Sequence, residues 1–285
     1  MDRSKTQKLK IIVLFVQYNQ SKYDNSFDTL KSDLDKFTKY DIKYIVIDNS
    51  LDKIVYRKIN RNITLISGDN TGREFTGWQQ GLKIIKELNL DYDLILFINE
   101  AYLAYNDSFL SNYLNSAVKR SLRYNAVTGS FDIDEKKRML RLYNYQDNKW
   151  LRSNIFFVPK IIMEKFDDFI FMSDEKFDKI IPVVYPEKIE SYRDCFTAHA
   201  DLNETFMEKT YTWLTEKWHS KIELKEDTWQ LFRIKSRAIF NEFLFTATIR
   251  SLGFELLWFA SPPTILIRRI FRKILGKNKQ FTPKR

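Results

Sequence analysis

The sequence predicts an α/β protein built on a mainly parallel sheet flanked by helices. Three observations predict it. Ile11 to Gln17, Ile42 to Ile47 and Leu94 to Ile98 are short, unbroken apolar runs, the pattern of strands covered on both faces. The segments between them carry apolar residues at helical spacing. The runs end on polar residues, and strands alternating with helices imply right-handed crossovers, which put those ends on one edge.

In chain order, Ile11 to Gln17 is the first strand, followed by the polar Tyr18, Asn19, Gln20 and Ser21. Phe27, Leu30, Leu34 and Phe37 then mark one apolar helix face. Ile42 to Ile47 is a strand ending in Asp48-Asn49-Ser50, and Ile63 to Ile66 a shorter one leading into Gly68-Asp69-Asn70. Trp78, Leu82, Ile85 and Leu88 mark a helix; Leu94 to Ile98 is a strand closed by Asn99-Glu100. A helix through Phe109, Leu110, Tyr113, Leu114 and Ala117 precedes a strand at Ala126 to Phe131. Beyond that, Met139 to Tyr145 and Asn154 to Val158 read as strands, and Ile161 to Phe169, Asn203 to Lys217 and Ile234 to Leu252 as helices. No linker divides the chain, so residues 1–255 are expected to form one domain and 256–285 a tail.

Composition narrows the classes. In 285 residues, 44% hydrophobic and 15% aromatic content suffices for a packed core, while 7 Gly and 6 Pro exclude fibrous and low-complexity chains. The single cysteine, Cys195, leaves no internal disulfide or CxxC metal site and suits a reducing compartment. Ile11 to Val16 is too short for a signal-peptide core, and no apolar stretch approaches the ~18 residues of a membrane span. Of the net charge of +10, eight positive charges follow Ser261 with no acid among them. The body is then nearly neutral, which argues against a nucleic-acid partner. In the tail, Ile265, Leu266, Ile267, Ile270, Phe271, Ile274 and Leu275 segregate from Arg268, Arg269, Arg272 and Lys273 on a helix. Such a helix suits an anionic membrane surface, through residues 263–275; a helix packed on the body is the alternative.

Ligands of such sheets bind beyond the carboxyl ends of the strands. The candidates there are Gln17, Tyr18 and Asn19, then Asp48 and Asn49, then Asn70 and Gly72, then Asn99 and Glu100. Asp48 can accept bonds from a ribose or a base, or simply form an Asx turn. The glycines of Gly72-Arg73-Glu74-Phe75-Thr76-Gly77 open a helix whose free amides, with Arg73, suit phosphate; an Arg73–Glu74 surface pair is the alternative. Glu100 can coordinate a divalent cation (Mg or Mn) that bridges a diphosphate, or cap a turn. Asp132 and Asp134 are rival metal ligands after a strand, whereas Asp91 and Asp93 lie at the wrong end of theirs. Glu242, amid Phe240, Phe243, Leu244 and Phe245 in a helix that Asn241-Glu242 opens, becomes a usable general base if burial raises its pKa; otherwise it is a solvated helix acid. His199 and His219 are too few and too scattered for a metal cluster; Asp201 and Glu204, near His199, can reach the cleft, but no spacing demands it.

Together these segments resemble bacterial glycosyltransferases of GT-A fold that build surface polysaccharides, over roughly residues 8 to 255. Ile45-Val46-Ile47-Asp48-Asn49-Ser50 resembles their "vvvDNgS" segment. Asn70-Thr71-Gly72-Arg73-Glu74-Phe75-Thr76-Gly77-Trp78 is similar to a segment of the relatives of rhamnan-synthesis proteins, with Glu74 where Asp is usual. Phe97-Ile98-Asn99-Glu100 resembles their "fiND[ST]", which stands where family 2 enzymes carry a DxD metal motif. Trp150-Leu151-Arg152-Ser153-Asn154-Ile155-Phe156-Phe157 resembles the strand bordering the acceptor site. Asn241 to Gly253 resembles the family 2 helix whose second acid is the catalytic base; here Asn241 replaces the first acid and Arg250 is displaced.

The resemblance implies a Rossmann-like GT-A fold with a C-terminal amphipathic helix, and an enzyme moving a sugar from a nucleotide-diphosphate donor (a UDP-hexose or dTDP-rhamnose) to a saccharide or lipid-linked saccharide acceptor, in capsule, O-antigen or cell-wall synthesis. It implies inversion with Glu242 as base. It implies donor contacts from Gln17, Tyr18, Asn19, Asp48, Asn49, Asn70, Gly72, Arg73, Glu74, Trp78 and Asn99, acceptor contacts from Arg152, Ser153 and Asn154, and a cytoplasmic enzyme on the inner face of the membrane. The missing DxD leaves Glu100 as the sole carboxylate at the metal position and keeps open an inactive scaffold or a nucleotidyltransferase.

Overall fold

The structure, a computed structural model, describes residues 8–18, 23–51, 53–102, 109–134, 136–197, 199–218 and 220–259. Asn19, His219 and the amphipathic tail at 263–275 lie outside the described residues.

An eight-stranded sheet forms the centre, in the order β10-β6-β9-β5-β1-β2-β4-β3. The strands are β1 (Leu9–Gln17), β2 (Tyr40–Asp48), β3 (Tyr56–Lys58), β4 (Ile63–Ser67), β5 (Leu94–Asn99), β6 (Val127–Ile133), β9 (Lys149–Pro159) and β10 (Leu256–Trp258). Only β3 and β9 run against the others. A mostly parallel sheet flanked by helices is compatible with a Rossmann-like fold. The unbroken apolar runs arise because both faces are covered. Ile11, Val13 and Phe15 pack on one side with Leu30, Leu34, Leu114 and Ala117. Ile12, Leu14 and Val16 pack on the other with Trp78, Ile85, Phe245 and Ile249.

Helices α1 (Ser26–Asp35) and α3 (Phe109–Tyr124) cover the first face, and α2 (Glu74–Glu87) the second. A third cluster forms beyond the sheet. The hairpin β7 (Leu140–Leu142) and β8 (Tyr145–Asp147) packs there with α5 (Asp174–Asp178), α6 (Glu204–Thr212), and the long α7 (Glu226–Ser251). A π-helical segment, Trp213–Lys217, continues α6.

Several expectations need correction. Met139 to Tyr145 is not one strand, because Tyr143 takes φ 54° and turns the chain between β7 and β8. The expected helix at Ile161 to Phe169 is α4, confined to Lys160–Met163. Phe166, Phe169 and Phe171 instead each pack on Phe245. Asn241-Glu242 does not open a helix; it lies deep inside α7. The sheet also continues past residue 255, since Leu256 to Trp258 pair with Val127 to Gly129.

The β6–β9 ladder shifts register between Gly129 and Phe131. Near this irregularity the Leu151 N–H leaves the sheet and donates to Thr246 Oγ1 on α7 at 2.9 Å. Thr246→Val keeps the shape but orphans a buried amide. It is expected to cost about 1–3 kcal/mol, read from a lower urea midpoint; an unchanged midpoint rules out this tie between α7 and the sheet.

Candidate functional site

The register places the polar strand ends in one row. Gln17 lies beside Asp48, Asp48 beside Ser67, and Val16 beside Asn99. Asp91 and Asp93 are at the opposite end, held by Lys10. Above the row, where β9, α6 and α7 approach, a cavity of about 410 Å3 opens. Tyr18, Arg73, Glu74, Asn99, Glu100, Asp132, Arg152, Ser153, Asn154 and Glu242 all line it.

One hydrogen-bonded path crosses the site. The Tyr18 N–H donates to Glu100 Oε2 at 2.8 Å, and the Tyr18 hydroxyl donates to Glu74 Oε2 at 3.3 Å. The other Glu74 oxygen accepts from Ser153 Oγ at 2.5 Å. The Ser153 N–H donates to Glu242 Oε1 at 2.7 Å. The ends of β1 and β5, together with α2, β9 and α7, are thereby tied around one space. The Tyr18 phenol is held well above its usual pKa, by burial first and then by Glu74, so it acts as a neutral donor in this path.

Glu242 ends the path. Burial raises its pKa to about 7, with Glu74 and Asp132 adding to the rise and the Ser153 hydrogen bonds opposing it. A carboxyl poised near neutrality that faces a cavity can take a proton from a bound hydroxyl. Asn241 has a different role from the acid expected at its position. It is fully buried, its Oδ1 accepts from the Phe171 and Met172 N–H groups, and its Nδ2 donates to the Arg237 carbonyl, so it fixes a backbone turn.

Arg73 lies on the other side of the space. Its φ of 57° is rare for a residue with a side chain. The guanidinium lies over the Tyr18 ring, 4.0 Å from its centroid, and the buried Nε has no hydrogen-bond partner among the described residues.

Other expected contacts are placed differently. Asp48 accepts from Gln17 Nε2 at 2.8 Å and from both the N–H and the hydroxyl of Ser50, so it carries the Asx turn as well as standing at the edge. Neither it, Gln17, Asn49 nor Asn70 lines the cavity. The Asn49 side chain packs over Gly68, where a Cβ would overlap its Oδ1. The Gly72 amide is not available to phosphate, because it donates to Thr76 Oγ1 at 3.1 Å. Trp78 is no donor contact either: it is fully buried between Phe75, Phe97 and Phe156. Asp134 is removed as a metal ligand by its pairs with Arg138 and Lys209.

Among the described residues no three His, Cys, Asp or Glu side chains gather as a metal group. Glu100 already accepts the Tyr18 N–H, and Asp132 faces Arg152 at 3.8 Å. This donor set does not fit a cation held by the protein itself.

The cavity also holds residues that sequence reasoning missed: Lys235 above all, then Lys209, Thr210, Trp213 and Trp218. Leu231, Lys235, Ala238, Ile239 and Glu242 line it at helical spacing along α7. The stripe is a sequence signal of a helix that begins at Glu226, eight residues before Ile234. The Lys235 ammonium has its pKa lowered to about 8, chiefly by burial and then by Arg73, against the pull of Glu74, Glu100 and Glu242. Among the described residues no helix is long and apolar enough to cross a membrane. Comparison of the sequence with protein-family models and with curated proteins finds no match.

Proposed function

We propose that the protein is a glycosyltransferase of GT-A type that moves a sugar, with inversion, from a nucleotide-diphosphate donor to a hydroxyl of a saccharide acceptor. The observation that carries this reading is Glu242, a carboxyl near neutrality in a cavity whose far wall is the polar edge of a mostly parallel sheet. A base and the Arg73 guanidinium lining one space suit displacement at a carbon held between them.

In this reading the nucleoside lies along the strand ends toward Asp48, outside the cavity proper, and the sugar enters it. The acceptor occupies the side formed by Arg152, Ser153 and Asn154. Glu242 takes the acceptor proton as its oxygen bonds to the anomeric carbon. The bond from that carbon to the diphosphate breaks, and its electron pair stays on the phosphate oxygen. Ser153 orients Glu242 through its N–H and ties it to Glu74 through its hydroxyl. An acceptor on a membrane lipid, approached with the basic tail, belongs to the same reading.

A thermal-shift screen of UDP, dTDP, GDP and their sugars is the direct test, because a ligand of the folded state raises the melting temperature by mass action. At least one uridine or thymidine diphosphate is expected to stabilise the protein, and its sugar to be transferred or slowly hydrolysed. If binding occurs without any turnover across acceptors, the protein is a scaffold that retains the site. If none of these nucleotides binds, the donor assignment is wrong.

A further inference from the structure

We propose that Arg73 and Lys235 form a binding site for a diphosphate that works without a divalent cation. The identity of the anion as the donor's leaving group rests on the function proposed above; the anion site itself does not.

Four cations line the cavity: Arg73, Arg152, Lys209 and Lys235. Two have carboxylate partners, Arg152 with Asp132 at 3.8 Å and Lys209 with Asp134 at 3.7 Å. Neither Arg73 nor Lys235 has a described carboxylate within salt-bridge distance. Each instead lies against a ring. Arg73 is 4.0 Å from the centre of Tyr18, and Lys235 is 4.7 Å from the centre of Trp218. The buried Arg73 Nε lacks a hydrogen-bond partner among the described residues. Such groups in a partly dry space are costly until an acceptor arrives.

The two cations come from different helices, both lining the cavity. Arg73 is fixed at the head of α2 by its unusual backbone conformation. Lys235 stands on α7 two turns before Glu242, about 10 Å along the axis, on the stripe that faces the cavity. It shares the cavity with Arg73, Glu74, Glu100 and Glu242, whose charges act on its ammonium. Arg73 and Lys235 repel each other there, and an anion between them turns that repulsion into two attractions. A planar guanidinium and a compact ammonium suit the non-bridging oxygens of a diphosphate. A divalent cation in the same place meets two positive charges, and among the described residues no three metal-ligating side chains gather to hold it. As the sugar leaves, the charge gathering on the phosphate oxygen falls to Arg73 and Lys235, which are already in place.

Calorimetry on the full chain tests this with pyrophosphate, UDP and dTDP, each in EDTA and again with Mg2+, with uridine and thymidine as controls. Pyrophosphate and at least one nucleotide are expected to bind in EDTA, with little tightening by Mg2+. Lys235→Ala, or Lys235→Gln if the first folds poorly, is expected to weaken them about ten- to hundred-fold, the worth of one charge-assisted hydrogen bond. Lys235→Arg should restore most of that loss, and nucleoside binding should not change. Binding that requires Mg2+, no pyrophosphate binding at all, or indifference to Lys235→Ala overturns the proposal. If pyrophosphate behaves as expected while neither nucleotide binds with or without Mg2+, the donor reading fails and the anion site stands.

Discussion

Glu242→Gln is expected to lower the turnover of sugar transfer by about 100- to 10,000-fold, the range for losing a positioned general base, while donor binding stays within about two-fold. The substitution is suited to separating chemistry from folding. The glutamine carbonyl can still accept the Ser153 N–H that now reaches Glu242 Oε1. Burial already disfavours the charged carboxylate, so its folded pKa of about 7 lies above the unfolded value. Above pH 7 the ionised group therefore costs stability, and neutral glutamine should leave the melting temperature at pH 8 equal or higher. Near-normal transfer by a folded Glu242→Gln protein removes Glu242 from the mechanism.

The same raised pKa fixes the sign of the pH profile. Glu242 must lose its proton before it can take one, so kcat/KM of the wild-type protein should rise with pH through about 7. One pH unit below that midpoint the rate should fall to about a tenth of its plateau. The opposing limb comes from Lys235, whose charge fades above about pH 8 under burial and the field of Arg73, with Glu74, Glu100 and Glu242 holding it up. The expected profile is a narrow bell, and Lys235→Arg should extend its alkaline side. A profile flat from pH 6 to pH 9 contradicts both assignments.

The sheet was the most legible part of the sequence. Strands covered on both faces must be apolar throughout, and the runs at Ile11, Ile42 and Leu94 meet that demand with little ambiguity. Their polar ends then fall in register by geometry alone, which makes Tyr18, Asn99 and Glu100 legible in the sequence; Arg73 is legible instead from the glycines that surround the start of α2. The second half resisted for the opposite reason. Its segments are short and aromatic, and Phe166, Phe169 and Phe171 pack on one another and on Phe245 as a cluster without a repeating face. The strand edge β3 and the last strand β10 are three residues each, too short to show a period. Lys235 was missed because a lysine in a charged helix looks like a solvated one. Only the tertiary approach of α7 to the strand edge turns it inward. Gly72 misled in a simpler way: a glycine before a helix suggests an open amide nest, yet here it makes room for Thr76, whose Cγ2 would lie 2.6 Å from an added Cβ.

Trp78→Ala should be the most damaging single change to the fold. Trp78 is completely buried, and its ring meets Phe75 at 5.3 Å, Phe97 at 5.4 Å and Phe156 at 5.3 Å in edge-on contacts. Truncating a buried aromatic of this size costs about 3–5 kcal/mol, a large share of the stability of an ordinary domain. The loss should appear as a markedly lower urea midpoint, whatever nucleotide affinity the remaining folded protein keeps. The opposite outcome, an unchanged midpoint with lost affinity, returns Trp78 to the ligand. The core assignment also explains why glycines flank this tryptophan. A Cβ at Gly77 would come within 3.0 Å of Val16, and one at Gly81 within 2.8 Å of Leu14. Small residues at these two turns let α2 press onto β1 and drive Trp78 into the aromatic layer. That docking in turn sets where α2 begins, and so holds Arg73 and Glu74 over the strand edge. The motif's spacing is thus a packing requirement first, and the cavity inherits its geometry from it.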